Sequence, residues 1–494
     1  MATSFIPREG PSAGPRAPIV REQGLQTKIV ATVGPATAQH DHVHALAELG
    51  VDVIRINFAH STHEGAESII EWTHDASESM HKPMAVLADL AGPKIRIGSL
   101  PAVLPLSEKS RVVLAPETLA GLDEIPTTYE NLGRDVVHGS RILIDDGLME
   151  LRVRATDGVR IKCDVIRGGT LRPHKGINLP GIVVSTPALT AKDVADLEFA
   201  LDHQVDYVGL SFVQRTTDVE DLRRRVGDRA LIIAKIEKDS ALGELESILA
   251  ASDAVMVARG DLGVELPFER VPLAQKRIVQ LANLHGRPVI TATQMLESMM
   301  EHSRPTRAEA SDIANAVFDG TDAVMLSGET AAGRYPFLAV DAMARIIGEI
   351  ERAHVMDEGP RYDVPESRHI RVGGTATQHA IAAATVEAAR RLGAPAIITL
   401  TRSGSTARLV SSYRPPVPIV GVSNMVRTWR QLALSWGVQP VLYDGDIGYD
   451  AMLDAGRQYI LRNRLAKSGQ RIVITAGVPF HVSGTTNMLR VEEL

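Results

Sequence analysis

A chain of 494 residues, 44% hydrophobic and 23% charged, is too long for one small core and has globular proportions, so about two to four domains are expected. A net charge of -7 leaves no basic footprint for nucleic acid and no cationic bias toward anionic membranes, and no run approaches the roughly 20 apolar residues of a membrane span. The single cysteine, Cys163, excludes an internal disulfide framework and a cysteine-based metal cluster, fits a reducing, cytoplasmic setting, and reads as a small buried hydrophobe.

The first residues, 1–24, hold Pro7, Pro11, Pro15 and Pro18 and no signal-like apolar stretch, so they read as a flexible tail. Eight β-rich runs then recur, most followed by a segment of helical periodicity: TKIVATVG, VDVIRINF, MAVLADLAG, DYVGLSFV, LIIAKIE, AVMVARGD, PVITATQ and AVMLSGET. Each is apolar on both faces, as parallel strands covered by helices are. Most end in polar residues, namely Arg55 and Asn57, Asp89, Ser211, Lys235 and Glu237, Asp261, Thr293, Ser327 and Glu329. Eight such units predict an α/β fold built on a TIM barrel over 25–92 and 188–353, with its site at the C-terminal ends of the strands.

More than a hundred residues separate the third run from the fourth. Alternating, glycine-punctuated segments there, RILIDDGLMELRV and GVRIKCDVIRGG, predict antiparallel hairpins, hence a small all-β lid, a β-barrel over 93–187. After the eighth unit DEGPRYDVPESRH marks a boundary, and 354–494 alternates helix and strand again as a separate open α/β domain.

The chemistry gathers at the predicted barrel mouth. Lys235 and Glu237 stand two apart on one strand and so share a face, and Asp261 ends the next strand in ARGDLG. Two carboxylates on neighbouring strands without His or Cys suit a hexacoordinate Mg²⁺ or Mn²⁺ rather than zinc; the same three residues would also serve as an ion-pair plug. Gly260 lets backbone approach a ligand, and N–H groups before a short helix would seat a carboxylate or phosphate. With Arg55 able to fork onto phosphate oxygens, Lys235 as a point charge and the Thr293 hydroxyl, the set argues for phosphoryl transfer or enolate chemistry. No G-x-x-x-x-G-K-[ST] sequence occurs, so a nucleotide would be held otherwise.

KIVATVGPAT, IRINFAHSTHE, AKIE, VMVARGDLGVELP, TATQMLESM, RPTRAEASDIANAVFDGTDAVMLSGETAAGRYP and SGTTNMLRV together resemble the pyruvate kinase family, over nearly the whole chain from Thr27 onward. The resemblance implies a TIM barrel with an inserted lid and a C-terminal regulatory domain, in an enzyme of glycolysis that moves the phosphoryl group of phosphoenolpyruvate to ADP. It implies Arg55 on the transferring phosphoryl group, Lys235 in transition-state stabilisation, Glu237 and Asp261 as Mg²⁺ ligands, and Gly260, Asp261 and Thr293 on the substrate carboxylate. Thr293 and Ser327 become candidates for the proton route to the enolpyruvate carbon, and Asn57, His60, Arg96 and Lys175 fall on the nucleotide side.

Many members of that family bind K⁺ through an Asn, a Ser, an Asp and a Thr. This chain keeps Asn57 and Asp89 but carries Ala59 and Leu90 where the hydroxyls would be, and Lys94 where a glutamate is usual. The expectation is a K⁺-independent enzyme with Lys94 as a tethered cation near Asp89. In the last domain LTRSGSTARL sets Thr401, Ser403, Gly404, Ser405 and Thr406 between a strand and a helix start, which makes either a phosphate cradle or an N-capping loop of Ser and Thr; the resemblance implies that it binds a sugar-phosphate or nucleotide effector beside the GVPFHVSGTTN loop. A homotetramer is implied by the same resemblance. Two other functions use parts of this pattern: a Mg²⁺-dependent pyruvate-enolate lyase or aldolase, which would need neither lid nor Lys175, and a silent sugar-phosphate sensor, which would not need Lys235, Glu237 and Asp261.

Overall fold

The first three barrel strands are β1 (Lys28–Val33), β2 (Val53–Asn57) and β3 (Ala85–Asp89), each buried along its length except at Asn57. They belong to a computed structural model that describes residues 24–353, 375–446, 448–479 and 485–494. The expected tail before Gly24, the boundary stretch DEGPRYDVPESRH and part of the GVPFHVSGTTN loop lie outside those residues.

After β3 the chain enters the inserted unit. Its strands are β4 (Leu104–Leu106), β5 (Arg111–Pro116), β6 (Ile125–Thr127), β7 (Arg141–Ile144), β8 (Met149–Thr156), β9 (Ile161–Arg167), β10 (Gly169–Leu171) and β11 (Ile177–Asn178). The two expected hairpins share β8, which pairs antiparallel with both β7 and β9. The strands form a six-stranded sheet in the order β11-β7-β8-β9-β5-β6, with a two-stranded ribbon of β4 and β10 beside it.

Those strands alone do not close a barrel. The gap between the edges β11 and β6 is bridged by the hinge segment, the stretch that leads from β3 into the inserted unit, because Arg96 pairs with Gly176 and Ile97 with Thr127. The Ile97 N–H donates to Lys175 O at 2.8 Å and the Gly98 N–H to Pro126 O at 2.8 Å. The same residues that lead out of the barrel therefore supply the last stave of the lid. At the start of the hinge Gly92 has φ 68°, and a Cβ there would lie 2.9 Å from the Phe212 ring, so both conformation and space require glycine.

The barrel resumes with β12 (Tyr207–Leu210), β13 (Leu231–Ile236), β14 (Ala254–Ala258), β15 (Val289–Ala292) and β16 (Ala323–Leu326) and closes in the order β1-β16-β15-β14-β13-β12-β3-β2, every pair parallel. Alternate residues of a strand face the lumen, and several of these inward series, those of β2, β3 and β13 among them, change from apolar to polar or charged as they rise. They run Val53, Arg55, Asn57 on β2, then Ala85, Leu87, Asp89 on β3, then Ile233, Lys235 on β13 with Glu237 just beyond. The apolar lower layers hold the barrel shut, and the polar upper ones make its mouth.

The lower end is plugged by the C-terminal unit. Its parallel strands β17 (Ile397–Leu400), β18 (Ile419–Ser423), β19 (Val438–Leu442) and β20 (Arg471–Gly477) are joined by β21 (Thr486–Glu493), antiparallel to β20, in the order β19-β18-β17-β20-β21. Ala433 and Leu434 of this unit pack in one cluster with Val30, Val53 and Tyr207 of the barrel lumen. Two buried ion pairs flank the plug, Arg430 on Asp206 at 3.0 Å and Arg414 on Asp322 at 3.0 Å. Among the described residues no helix is long and apolar enough to cross a membrane.

Candidate active site at the barrel mouth

Lys235 is the centre of the site. Its ammonium lies 3.0 Å from Glu237 Oε1 and 3.1 Å from Asp89 Oδ1, and it donates to Ser211 Oγ at 2.7 Å. Burial opposes its charge, but the two carboxylates outweigh burial and hold its pKa above the usual lysine value. Arg55 meets the other oxygen of Asp89, with Nη2 at 2.6 Å and Nε at 2.7 Å, and its Nη1 donates to Thr32 Oγ1 at 3.0 Å. For Asp89, burial alone would raise the pKa; Lys235 and Arg55 reverse that and keep it below the carboxylate range. Gly209 lies beside it, where a Cβ would come within 3.1 Å of Asp89 Oδ1.

Glu237 accepts from the Phe212 N–H at 2.7 Å, which fixes its carboxylate beyond the strand end. Its pKa is raised, first by burial and further by the nearby Asp261 charge, with Lys235 opposing. Two carboxylates that repel each other in a buried setting, with oxygen donors only, fit a divalent cation of the Mg²⁺ type. Asp261 itself does not end a strand. β14 stops at Ala258, and a helix, Arg259–Glu265, begins at once, with Asp261 in its first turn. The expected seat of free N–H groups ahead of that helix is therefore shorter than the sequence suggests. The Gly260 N–H donates to Thr293 Oγ1 at 2.8 Å, which brings the expected carboxylate-binding pair together.

Two supports of this corner were not legible in the sequence. Arg259 is buried and donates to the carbonyls of Thr293 at 2.6 Å and Gln294 at 3.2 Å, and its Nη1 meets Asp312 at 2.6 Å. It thereby clamps a turn in which Thr293 and Gln294 have φ 64° and 55°, a left-handed conformation unusual for residues other than glycine. Lys238, next to Glu237, pairs with Glu265 at 2.6 Å and ties the end of β13 to the helix that carries Asp261. Glu329, read as a strand-terminal polar group, lies in the helix Gly328–Ala331, where its carboxylate accepts from the N–H groups of Leu296 and Ser327. Ser327 Oγ is buried with no hydrogen-bond partner among the described residues.

The nucleotide-side candidates are spread over the mouth and the lid. Asn57 caps its own turn, Oδ1 accepting from the Ala59 N–H at 3.1 Å, and His60 is exposed just after it. On the lid, Lys175 pairs with Asp145 at 2.8 Å and Arg96 donates to His174 O at 2.9 Å. Lys94 makes no ion pair with Asp89 among the described residues. It is exposed, with Cε 3.5 Å from where a Cβ on Gly176 would stand, and the charge of Asp89 is met by Arg55 and Lys235 instead.

In the C-terminal unit the effector candidates gather around one turn. Thr401 Oγ1 accepts from the Gly404 N–H at 2.9 Å, Ser403 Oγ donates to Ser405 Oγ at 3.1 Å, and Thr406 Oγ1 meets Thr486 Oγ1 at 2.8 Å. Gly404 has φ 79° and the helix Ser405–Ser412 follows directly.

Residues 25–340 match the family described as the pyruvate kinase barrel domain, and residues 379–492 the one described as the pyruvate kinase alpha/beta domain. The chain is 43% identical to a pyruvate kinase of Mycobacterium tuberculosis over 472 residues, which is 94% of this chain and 98% of that one. It is 41% identical to a pyruvate kinase of Clostridium acetobutylicum over 474 residues, covering 94% and 99%. A solved pyruvate kinase structure from Cryptosporidium parvum superposes with a TM-score of 0.87 at 34% identity, covering 95% of this chain and 96% of that one.

Proposed function

The chain belongs to the pyruvate kinase family and is a phosphotransferase acting on phosphoenolpyruvate and ADP, and from that premise we propose how its own residues divide the work. The observation that carries the reading is the Lys235 ammonium held between Asp89 and Glu237 at the barrel mouth. There it faces charge that develops as the phosphoryl group leaves the enolate oxygen, in a buried setting where such a charge counts most. Arg55, pre-set by Asp89, forks onto the phosphoryl oxygens. Glu237 and Asp261 would hold Mg²⁺, which when bound neutralises phosphoryl charge. Thr293 Oγ1 and the Gly260 and Asp261 backbone would receive the substrate carboxylate, which takes the place of the bond between the Gly260 N–H and Thr293 Oγ1, and Arg259 keeps that corner in shape.

In the reaction the bond from phosphorus to the enolpyruvate oxygen breaks and a bond to a β-phosphate oxygen of ADP forms; the enolate then takes a proton at carbon to give pyruvate. We assign that proton delivery to the Thr293 and Ser327 side; the buried Ser327 hydroxyl, without a partner among the described residues, supports it. Asn57, His60, Arg96 and Lys175 serve the nucleotide, the last two from a lid over 93–187 whose closure excludes water. The barrel segments 25–92 and 188–353 carry the chemistry and 354–494 the regulation.

The finer reading is a K⁺-independent enzyme. It rests on Ala59 and Leu90, which offer no hydroxyl to an ion, and on an Asp89 already neutralised by two fixed cations. Lys94, exposed on the segment that follows β3, is the third cation of the region and is assigned as the tethered stand-in for K⁺. The turn Thr401 to Thr406 is assigned to a phosphorylated effector, and exposed Phe268 and Leu273 support assembly into the homotetramer. A lone, buried Cys163 agrees with a cytoplasmic setting. Pyruvate release from phosphoenolpyruvate, followed with and without ADP, tests the activity: strict dependence on ADP is expected, and release without it would favour a lyase. Thermal-shift screening of phosphorylated metabolites, repeated on Ser403→Ala, tests the effector site.

A further inference from the structure

A cluster remote from this chemistry remains unexplained. The first outer helix, His40–Glu48, begins HDHVH, and the second, His63–Ser79, packs beside it. His40 and His44 stand four apart and so on one helical face, with ring centroids 4.5 Å apart. Both present Nε2 to one oxygen of Asp75 on the second helix, Oδ2, each at 3.0 Å. The three atoms lie within 4.8 Å of one another. The far side of the His40 ring is also engaged, because Nδ1 is 3.0 Å from Asp41 Oδ1.

We propose that His40, His44 and Asp75 bind one divalent transition-metal ion of the zinc class, which pins the first outer helix to the second.

Three features of the cluster argue for this. A pair of imidazoles and a carboxylate is a nitrogen-rich donor set that suits Zn²⁺, Ni²⁺ or Cu²⁺ and is poor for Mg²⁺, so it does not compete for the ion used at the barrel mouth. Ligands about 2.0–2.1 Å from a tetrahedral zinc lie about 3.3 Å from each other, so the two 3.0 Å separations need open by only a few tenths of an ångström, and the two Nε2 atoms, within 4.8 Å of one another, settle to the same spacing. Asp41 on Nδ1 of His40 supplies the carboxylate–histidine arrangement that orients a metal-binding ring and leaves its Nε2 free for the ion. All three side chains are reached from solvent, and a water completes the coordination. When the ion binds, each imidazole gives up its Nε2 proton, a charged ring to solvent and a neutral ring to its own Nδ1, and the three lone pairs turn to the metal.

The test uses the full chain, stripped with a chelator and held in excess Mg²⁺ so that the barrel mouth is occupied. Titration with Zn²⁺ should show one ion per chain and a rise in melting temperature. His44→Ala and Asp75→Asn should each weaken Zn²⁺ binding at least about tenfold and remove the thermal shift, without changing catalysis in Mg²⁺. With Cu²⁺ in place of Zn²⁺, the electron paramagnetic resonance spectrum should show coupling to two imidazole nitrogens. Zn²⁺ binding that both variants leave unchanged, a copper spectrum without nitrogen coupling, or no binding at all would overturn the proposal. Because the readout is metal binding, its failure leaves the assignment at the barrel mouth untouched.

Discussion

Arg55 and Asp89, neighbours on adjacent parallel strands, are locked together by two contacts of 2.6 and 2.7 Å to a single carboxylate oxygen, at a depth where Asp89 is 1% exposed. The other oxygen belongs to Lys235, so one buried anion positions both of the cations proposed to meet the substrate. Replacing it leaves two buried cations uncompensated. Asp89→Ala is expected to cost about 3–5 kcal/mol of stability and to reduce kcat by at least about tenfold. Chemical denaturation and steady-state rates check this; a variant of native stability would show that the anion is dispensable.

The dependence on monovalent cations follows from the same anion. With Ala59 and Leu90 in place of hydroxyl ligands, initial rates in K⁺-free buffer should equal those with K⁺ added. Lys94→Glu should lower activity at least about tenfold, equivalent to about 1.4 kcal/mol of transition-state stabilisation. A strong K⁺ activation of the native enzyme would sink this reading, and an unimpaired Lys94→Glu enzyme would remove Lys94 from it.

Arg259 offers a sharper test of the corner proposed for the substrate carboxylate. Its guanidinium forks onto the Thr293 and Gln294 carbonyls and onto Asp312, which a lysine cannot reproduce. Arg259→Lys should raise KM for phosphoenolpyruvate several-fold and cost about 2 kcal/mol of stability, while KM for ADP stays near its native value. An equal rise in both KM values would assign Arg259 to general folding instead.

Eight strands and their polar ends were legible because a parallel strand covered on both faces must read as an apolar run, and a polar residue is tolerated only where that cover stops. Arg55, Lys235 and Glu237 stand out for that reason. The start of the helix at Arg259 was not legible, since RGDL carries no capping residue and follows β14 without a turn. Nor was the role of Arg259, whose carbonyl partners lie 34 and 35 positions downstream and are set by barrel closure. The lid's closing stave escaped for a similar reason: Arg96 and Ile97 pair with residues that local alternation cannot reveal. Lys94 stands out through its charge and through the missing hydroxyls at Ala59 and Leu90, and none of these says which way its side chain leans.

Cys163 is buried in the lid, and burial pushes its thiol up to about 12. The thiolate is the reactive species, so the native protein should be inert to alkylation at pH 8 and should react with one equivalent of reagent when unfolded. Fast native labelling would mean that the lid opens its core in solution.

The joint between the barrel and the C-terminal unit carries its own pH signature. Asp206 lies fully buried at the foot of β12, accepting from the Val86 N–H at 2.9 Å and from Arg430 Nε at 3.0 Å. Burial is the largest influence and lifts its pKa to about 6 against the favourable pull of Arg430. In the unfolded chain the same carboxyl titrates near about 3.9. Between those values the folded protein holds a proton that the unfolded chain has released, so this group makes stability fall as pH rises from about 4 to about 6, and adds no slope above that. The opposite sign comes from Asp89, whose lowered pKa favours the folded state more as pH rises through the acid range. Asp206→Asn separates the two, because it abolishes only the first. Melting temperatures of both proteins from pH 4.5 to 7 should show the native enzyme losing ground relative to the variant up to about pH 6, after which the curves run parallel. Curves parallel throughout would mean that Arg430 keeps Asp206 ionised across the range and that burial does not govern this joint.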